Sequence, residues 1–199
     1  MEYSLLDACK KGDLGAVEFL VEKGVDIEFK HNCGATPLIF ASIHGHLDIV
    51  KFLVGKGVDI EATDNTGDNS LICATIYGRF EVVKFLLDKT ENATEIKNKH
   101  EQTLLNIASG DGRLEIVKFL VSKGANIEAK DESGFTPIFA SSYYGNNFEV
   151  VKYLIEKGAE VEVNGNTIFS YFTENRQREI KELMKDIENR KQMIKPCQR

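Results

Sequence analysis

The sequence has little of what marks several large classes of protein. It contains no tryptophan and only three prolines in 199 residues, and no apolar run approaches the roughly 18 residues that a membrane span needs. The N-terminal segment lacks the basic stretch followed by an apolar stretch that is typical of a secretory signal. We therefore expect a cytoplasmic protein without a membrane partner.

Cysteine is present but not in a metal-binding or disulfide pattern. The four cysteines are widely and irregularly spaced, with no CxxC pair and no histidine at zinc-finger spacing. We expect reduced, separate thiols. They are Cys9, Cys33, Cys73 and Cys197.

Charge of one sign dominates the body of the chain. The net charge is −6, and residues 174–199 hold eight Lys or Arg against five Asp or Glu, so the remainder carries −9. An acidic body repels phosphate backbones and gains nothing from counterion release, which argues against nucleic acid as a ligand. A basic or neutral patch on a partner protein fits better.

A repeat of fixed length runs through the sequence. Segments 45–53, 78–86 and 112–120 are near copies of one another, as are 12–20 and, with one inserted residue, 145–154. Their leading glycines lie 33, 33, 34 and 33 residues apart. A constant period of this size predicts a solenoid of stacked units, not a single closed globule.

Residues 34–67 illustrate the local structure of one unit. Thr36 and Pro37 predict a helix start, because the hydroxyl can cap free amides and proline suits the first helical turn. A short helix over 38–44 should follow, and Gly45 should end it in the left-handed conformation.

The second half of the unit predicts another helix and an extended arm. The helix, over 47–56, is apolar on most of its circumference and must be covered on two sides, so stacking is obligatory. After Gly57, residues 58–67 alternate in polarity and end in a turn sequence, which predicts an arm with Ile60 pointing inward.

These motifs resemble the ankyrin repeat. Segments 34–38, 45–53 and 57–60 match the family pattern closely, and segments 134–138 and 158–161 match it again. The resemblance implies an all-α ankyrin-repeat solenoid of stacked helix-turn-helix units with β-hairpin-like arms. We expect a single domain over 1–190 and a disordered tail over 191–199, with the domain divided into repeats at about 2–33, 34–66, 67–100, 101–133 and 134–164 and a C-terminal cap at 165–190.

Three departures from the pattern fall around the third and fourth repeats. Asn69 and Ser70 stand in place of Thr-Pro, segment 87–94 lacks the glycine, and Glu101 and Leu104 replace the next glycine and proline. Each mismatch is expected to remove a helix stop or cap worth about 0.5–2 kcal/mol. We therefore expect the third-to-fourth junction to be the least regular step of the stack.

The resemblance also implies a function, because ankyrin stacks present a concave surface of arm tips and first-helix ends that binds proteins. Six of its positions are apolar or aromatic where exposure is expected, and such a ridge is typical of an interaction site. It would run from Ile43 through Tyr77 to Tyr144, unless some of its members pack against the adjacent loop. The predicted partner-binding residues are Asn32, Cys33, Ala35, Ile43, His44, Asn65, Thr66, Asp68, Ile76, Tyr77, Lys99, His100, Gln102, Asp111, Glu132, Ser133, Phe135, Tyr143 and Tyr144.

Catalytic and metal-binding interpretations find little support in the sequence. His44 and His46 could hold a metal, but no acid or cysteine stands at a ligand spacing, and no phosphate-binding or metalloprotease motif is present. We expect a non-enzymatic, monomeric adaptor, inhibitor or scaffold that binds a protein partner and needs no cofactor or metal. Two alternatives stay open: a structural subunit that self-associates or sits in a larger complex, and a secreted effector that binds a host protein.

Overall fold

The structure is a computed structural model, and it describes residues 4–145, 147–163 and 165–194. The chain divides into two compact units, Met1–Leu104 and Leu105–Arg199. Helix pairs build the first unit: α1 Leu5–Lys11 and α2 Leu14–Glu22, α3 Pro37–His44 and α4 Leu47–Gly55, and α5 Ser70–Ile76 and α6 Phe80–Leu87.

The second unit continues the same alternation and adds a closing segment. Its helices are α7 Leu104–Gly110, which begins at the boundary, α8 Leu114–Ser122, α9 Pro137–Tyr143 and α10 Phe148–Glu156. A hairpin of β1 Glu162–Val163 and β2 Asn166–Thr167, a 3₁₀ turn Ile168–Tyr171 and the long helix α11 Glu174–Ile194 follow.

The start and end of α3 confirm the signals in the sequence. The Thr36 hydroxyl accepts a hydrogen bond from the Ile39 N–H at 3.3 Å, and Pro37 occupies the first turn. Gly45 follows the helix with φ 79°. A Cβ at Gly45 would also lie 2.9 Å from the Arg79 side chain of the next repeat. The glycine therefore serves both the turn and the close approach of the neighbouring unit.

The expected loss of a cap in the third repeat is wrong. Asn69 takes over the capping function, because its side-chain oxygen accepts the Ile72 N–H at 3.0 Å. Asparagine is among the best helix N-caps, so replacing Thr-Pro by Asn-Ser keeps this helix start intact.

The third-to-fourth junction departs from the regular pattern as expected. Helix α6 has no glycine after it, and the Thr90 hydroxyl instead donates to the Leu86 carbonyl at 3.0 Å. Asn92 then turns the chain with φ 49° and leads into a 3₁₀ turn, Ala93–Glu95. Glu101 stands at a repeat glycine position with φ 57°, a left-handed conformation that costs a side-chain-bearing residue roughly 1–2 kcal/mol.

Within each unit, corresponding helices of successive repeats pack on one another. In the first unit α1 packs on α3 and α3 on α5, while α2 packs on α4 and α4 on α6. In the second unit α8 packs on α10, which also meets α11. The largest fully buried side chains are leucines and isoleucines of these helices. In the arm of the second repeat, Val58 is the buried residue, whereas Ile60, which we expected to point inward, is only half-buried.

One loop position connects successive repeats by hydrogen bonds. Arg79 donates from Nε to the Ile43 carbonyl at 2.7 Å. In the second unit, Asn147 donates from Nδ2 to the carbonyls of Gly110 at 2.7 Å and Ser109 at 3.2 Å. Each bond satisfies carbonyls that the end of the preceding first helix leaves without a helical partner.

The outer faces of the second helices repeat one motif. A lysine lies over the aromatic ring four residues before it at distances of 5.2–5.9 Å, which is cation–π geometry. Because this face is nearly the same in every repeat, it offers little to distinguish one position along the chain from another. The pairs are Phe19–Lys23, Phe52–Lys56, Phe85–Lys89, Phe119–Lys123 and Tyr153–Lys157.

One side of the first half of the C-terminal helix, α11, packs against the rest of the second unit. Ile180 is fully buried, and the Gln177 amide donates to the carbonyls of Phe169 and Phe172 at 2.9 and 2.8 Å. The helix continues through Ile194, so residues 191–194 of the expected disordered tail are helical. Residues 195–199, including Cys197, lie outside the described residues.

Candidate protein-binding surface

The arm tips of the first unit lie against one another. Asn65 of the second arm donates from its backbone N–H to the Cys33 carbonyl at 2.9 Å and from its side-chain amide to the Asn32 carbonyl at 3.0 Å. Lys30 reaches the Thr63 carbonyl at 3.3 Å. These bonds bring the predicted residues of the first two arms together.

Charges of opposite sign meet between the second and third arms. Burial raises the pKa of Asp68, and the nearby carboxylate of Asp64 raises it further, while the Thr66 hydroxyl and the charges of Lys99 and His100 lower it. Lys99 and His100 therefore lie close enough to Asp68 to act on its carboxylate, as a continuous row of arm tips requires.

Three apolar members of the predicted set in the first unit are less accessible than expected. Ala35 is 2% exposed, so its side chain offers almost no surface to a partner. Ile43 and Ile76 are half-buried, which leaves Tyr77, with 48% of its surface exposed, as the accessible member of the ridge in this unit.

The second unit brings four aromatic rings together. Tyr143 is at the centre: its ring centroid lies 5.2 Å from that of Phe135, 5.0 Å from that of Tyr144 and 5.5 Å from that of Tyr171. We call these four residues the aromatic cluster. Tyr143 and Tyr144 are 54% and 56% exposed. Their near-perpendicular ring planes are a favoured aromatic geometry.

Hydrogen bonds from buried side chains fix the arm that carries Phe135. The Asp131 carboxylate accepts the N–H groups of Ser133 and Phe135, both at 2.9 Å. The Asn106 amide donates to the carbonyls of Phe135 at 3.0 Å and Ala129 at 3.1 Å. Both backbone groups of Phe135 are thus bonded, so the main chain that carries the ring is held in place before any partner arrives.

Acidic side chains act on one tyrosine of the aromatic cluster, Tyr144. Burial raises the pKa of the Tyr144 phenol, and the charges of Asp131 and Glu132 raise it further, together with Tyr143. Glu132 is exposed on the arm tip. The charges that act on the Tyr144 phenol therefore favour a cation over an anion beside this ring.

The other predicted positions are accessible or half-accessible. Asp68 and Gln102 occupy the position in their repeats that Ala35 occupies in its own, and both are half-buried. Phe135 is half-buried within the aromatic cluster. The exposed ones are Asn32, Cys33, His44, Asn65, Thr66, Lys99, His100, Asp111, Glu132 and Ser133.

Sequence reasoning missed two features. Tyr171 joins the aromatic cluster from the 3₁₀ turn before α11, outside the repeat positions that were compared. In the first unit, an apolar groove of about 650 Å³ is lined in part by Phe19, Val25 and Phe29. These three side chains are 57%, 39% and 52% exposed. The apolar outer face of the helix in the first repeat is the feature of the sequence that could have predicted the groove.

Histidines and cysteines serve local structure. His46 bonds the Lys10 carbonyl from Nε2 at 3.1 Å, and His44 bonds the Phe40 carbonyl from Nδ1 at 2.8 Å. Burial raises the pKa of the Cys9 and Cys73 thiols to about 12. In the part of the chain that the structure describes, no group of three or more His, Cys, Asp or Glu side chains could hold a metal ion.

Comparison with known families decides what these repeats are. A model of ankyrin repeats matches residues 5–99 and 90–165. The chain belongs to the ankyrin-repeat family. Its all-α repeat fold agrees with this membership, and ankyrin repeats are in general protein–protein interaction modules and typically not enzymes. The search of curated proteins found no match.

No helix in the described ranges of this ankyrin-repeat chain is long and apolar enough to cross a membrane. In each of the two units, the arm tips and first-helix ends of the ankyrin repeats carry accessible side chains.

Proposed function

We propose that this ankyrin-repeat chain is a non-enzymatic adaptor, inhibitor or scaffold that binds a partner protein through its arm tips and first-helix ends. In this proposal it acts in the cytoplasm as a monomer, and it needs neither a cofactor nor nucleic acid. The observation that carries the proposal is the aromatic cluster, in which the adjacent Tyr143 and Tyr144 are each more than half exposed.

Tyrosines exposed on a rigid support have the properties of interface hot spots. Each supplies a large contact area at a low cost in side-chain entropy and carries a hydroxyl for hydrogen bonding. The arm beneath Phe135 is fixed by Asp131 and Asn106. A partner would therefore lose little conformational entropy from this surface on binding.

Variation along the chain supports the same surface. The outer faces of the second helices repeat one aromatic–lysine motif, whereas the arm tips differ in charge and size from one repeat to the next. Specific recognition needs features that distinguish positions. The arm tips provide these features and the outer helix faces do not.

A pair of alanine substitutions tests the proposal in both units. Tyr77→Ala with Tyr143→Ala should leave the chain folded, because both side chains are about half exposed. Loss of the Tyr143 ring contacts should lower the thermal midpoint only by a few degrees. The same double variant should weaken a partner recovered by pull-down from the native cell by at least about tenfold, as hot-spot tyrosines do. Lys51→Ala on the outer face of α4 is the matched control. Retained binding by the double variant would refute the proposal.

The apolar groove of the first unit favours one other candidate function, self-assembly of the chain. Phe19 and Phe29 are exposed. Asp26 also lines the groove, and the Lys23 ammonium lies 5.4 Å from the centroid of the Phe19 ring, so charges of both signs border it. A rim of mixed sign is self-complementary across a two-fold axis, so the occupant would be a second copy of this chain. Sedimentation velocity from about 1 to 100 µM decides: a dimer that Phe29→Glu abolishes supports assembly, and a monomer throughout excludes it.

A further inference from the structure

We propose that the aromatic cluster binds a guanidinium or ammonium group of a basic segment in the partner protein. This inference rests on the proposed function and names the chemistry of what the surface recognises. Three observations carry it: the geometry of the rings, the sign of the charges beside them, and the way this unit uses its other rings.

The geometry provides ring faces on a polar surface. Tyr143 meets Tyr144 and Tyr171 edge to face, with interplanar angles of 88° and 87°. Tyr143 and Tyr144 are each more than half exposed, so a large part of both rings is accessible to a partner. The ring face carries the negative end of the aromatic quadrupole, which attracts cations within about 6 Å.

The charges beside the rings have the sign that a cation requires. Asp131 and Glu132 both act on the Tyr144 phenol. Asp131 is buried and tied to the arm backbone, whereas Glu132 is exposed at the arm tip. Asp131 holds the backbone N–H of Phe135, whose ring centroid lies 6.2 Å from that of Tyr144. A cation over Tyr144 would therefore be attracted by these acidic side chains, and an anionic partner would be repelled.

An apolar segment is a poorer match than a basic one. Three of the four rings carry hydroxyl groups, which an apolar partner would desolvate without replacing their hydrogen bonds to water. A guanidinium stacks on a ring and donates hydrogen bonds from its edge at the same time.

Rings elsewhere in this unit already pair with cations. Lys157 lies 5.4 Å from the centroid of Tyr153, Lys181 lies 5.4 Å from that of Phe169, and the Arg176 guanidinium carbon lies 5.0 Å from that of Phe148. Phenylalanine and tyrosine rings of this unit thus lie at cation–π distance from both lysine and arginine.

Two peptides that differ only in charge test the inference on the full chain. The probes are acetyl-Gly-Arg-Gly-Arg-Gly-amide and the same peptide with citrulline, which keeps the shape of arginine without its charge. The arginine peptide should shift the aromatic NMR resonances of the four rings and bind at least about fivefold more tightly than the citrulline peptide. Its affinity should fall as sodium chloride rises from about 50 to 500 mM.

Variants separate the site from general acidity of the chain. Tyr144→Leu keeps apolar volume without a ring face, and Glu132→Gln removes one charge; each should weaken the arginine peptide about threefold or more. Tyr153→Leu, which removes a ring from the outer face of α10 in the same unit, is the matched control and should leave affinity unchanged. Equal binding of the two peptides, equal effects of Tyr153→Leu and Tyr144→Leu, or no shift at 10 mM peptide would each overturn the inference.

The proposed function fails by a different measurement. Suppose that a purified partner loses binding to the Tyr143→Ala variant, yet keeps full affinity when its own interface arginines and lysines are replaced by glutamine. This result would support the proposed function and overturn the cation site. A partner that is insensitive to Tyr143→Ala refutes the proposed function, whereas binding of the arginine peptide at the rings would still support the cation site.

Discussion

His46 lies with its imidazole Nε2 3.1 Å from the main-chain carbonyl oxygen of Lys10, in the preceding repeat. The carbonyl can only accept, so Nε2 carries the proton. A Cβ on Gly12 would lie 2.6 Å from the His46 ring, so the glycine makes room for the histidine. The same relationship recurs between Gly112 and Asn147, where a Cβ would approach the asparagine amide to 2.5 Å.

Removing the His46 ring should weaken the contact between the first two repeats. His46→Ala is expected to lower the free energy of unfolding by about 1–2 kcal/mol, because it leaves a helix-terminal carbonyl without its donor. His46→Gln, which keeps an N–H donor, should recover part of the loss. Urea denaturation followed by circular dichroism measures both. Lys51→Ala on α4 is the control, and a loss as large in the control as in His46→Ala would contradict the role of the hydrogen bond.

Two threonines at equivalent positions should respond differently to the same substitution. Thr36 caps α3 through its hydroxyl, whereas the Thr136 hydroxyl is buried and has no hydrogen-bond partner among the described residues. Thr36→Val should cost about 1 kcal/mol. Thr136→Val should be neutral or stabilising, because it replaces an unsatisfied polar group by a methyl of the same shape. Thermal midpoints of the two variants give the comparison, and equal shifts would show that the two hydroxyls do not differ.

The protein should be more stable with glycine in place of Glu101. The φ of 57° at Glu101 is unfavourable for a residue with a Cβ, and the ion pair of Glu101 with Lys97, 2.9 Å long, is exposed on both sides and worth little. Glu101→Gly is expected to raise the free energy of unfolding by about 0.5–1 kcal/mol, after allowance for the greater freedom of glycine in the unfolded chain. Glu101→Ala loses the ion pair and keeps the strain, so it should not stabilise. Gains of equal size in both variants would contradict the backbone explanation.

The cysteines should differ sharply in reactivity. Cys33 is exposed, and its sulfur lies 3.0 Å from His31 Nδ1. Cys9 and Cys73 are buried, and burial raises their thiol pKa to about 12, so almost none of either is thiolate at pH 8. Iodoacetamide should alkylate Cys33 in the native protein at least about a hundredfold faster than the other two, as peptide mass spectrometry can follow. A rate at Cys9 similar to that at Cys33 would show that the first repeat opens.

Local signals allowed much of the fold to be predicted from the sequence. Thr36, Pro37 and Gly45 specify where α3 begins and ends through short-range sterics and hydrogen bonds, and the structure follows them. Asn69 was misjudged because it was compared with the family pattern instead of with capping chemistry, which it satisfies.

The binding surface was harder to predict because it depends on contacts that are distant in sequence. Tyr171 meets Tyr143 although 28 residues separate them, which is not the repeat period, since the last arm is shortened. Asn106 fixes Phe135 by a bond across 29 residues. Ala35 was included for its position in the repeat, and this position does not reveal that its side chain is buried.

Hydrogen exchange of the chain with and without its purified partner tests the binding surface most directly. Binding should slow exchange at the arm tips and first-helix ends, with the largest effect around 132–135 and 143–145, and leave the outer face over 114–122 unchanged. This pattern is expected because amides beneath a docked surface open less often. Protection confined to the second helices, or to the groove lined by Phe19 and Phe29, would contradict the proposed binding surface.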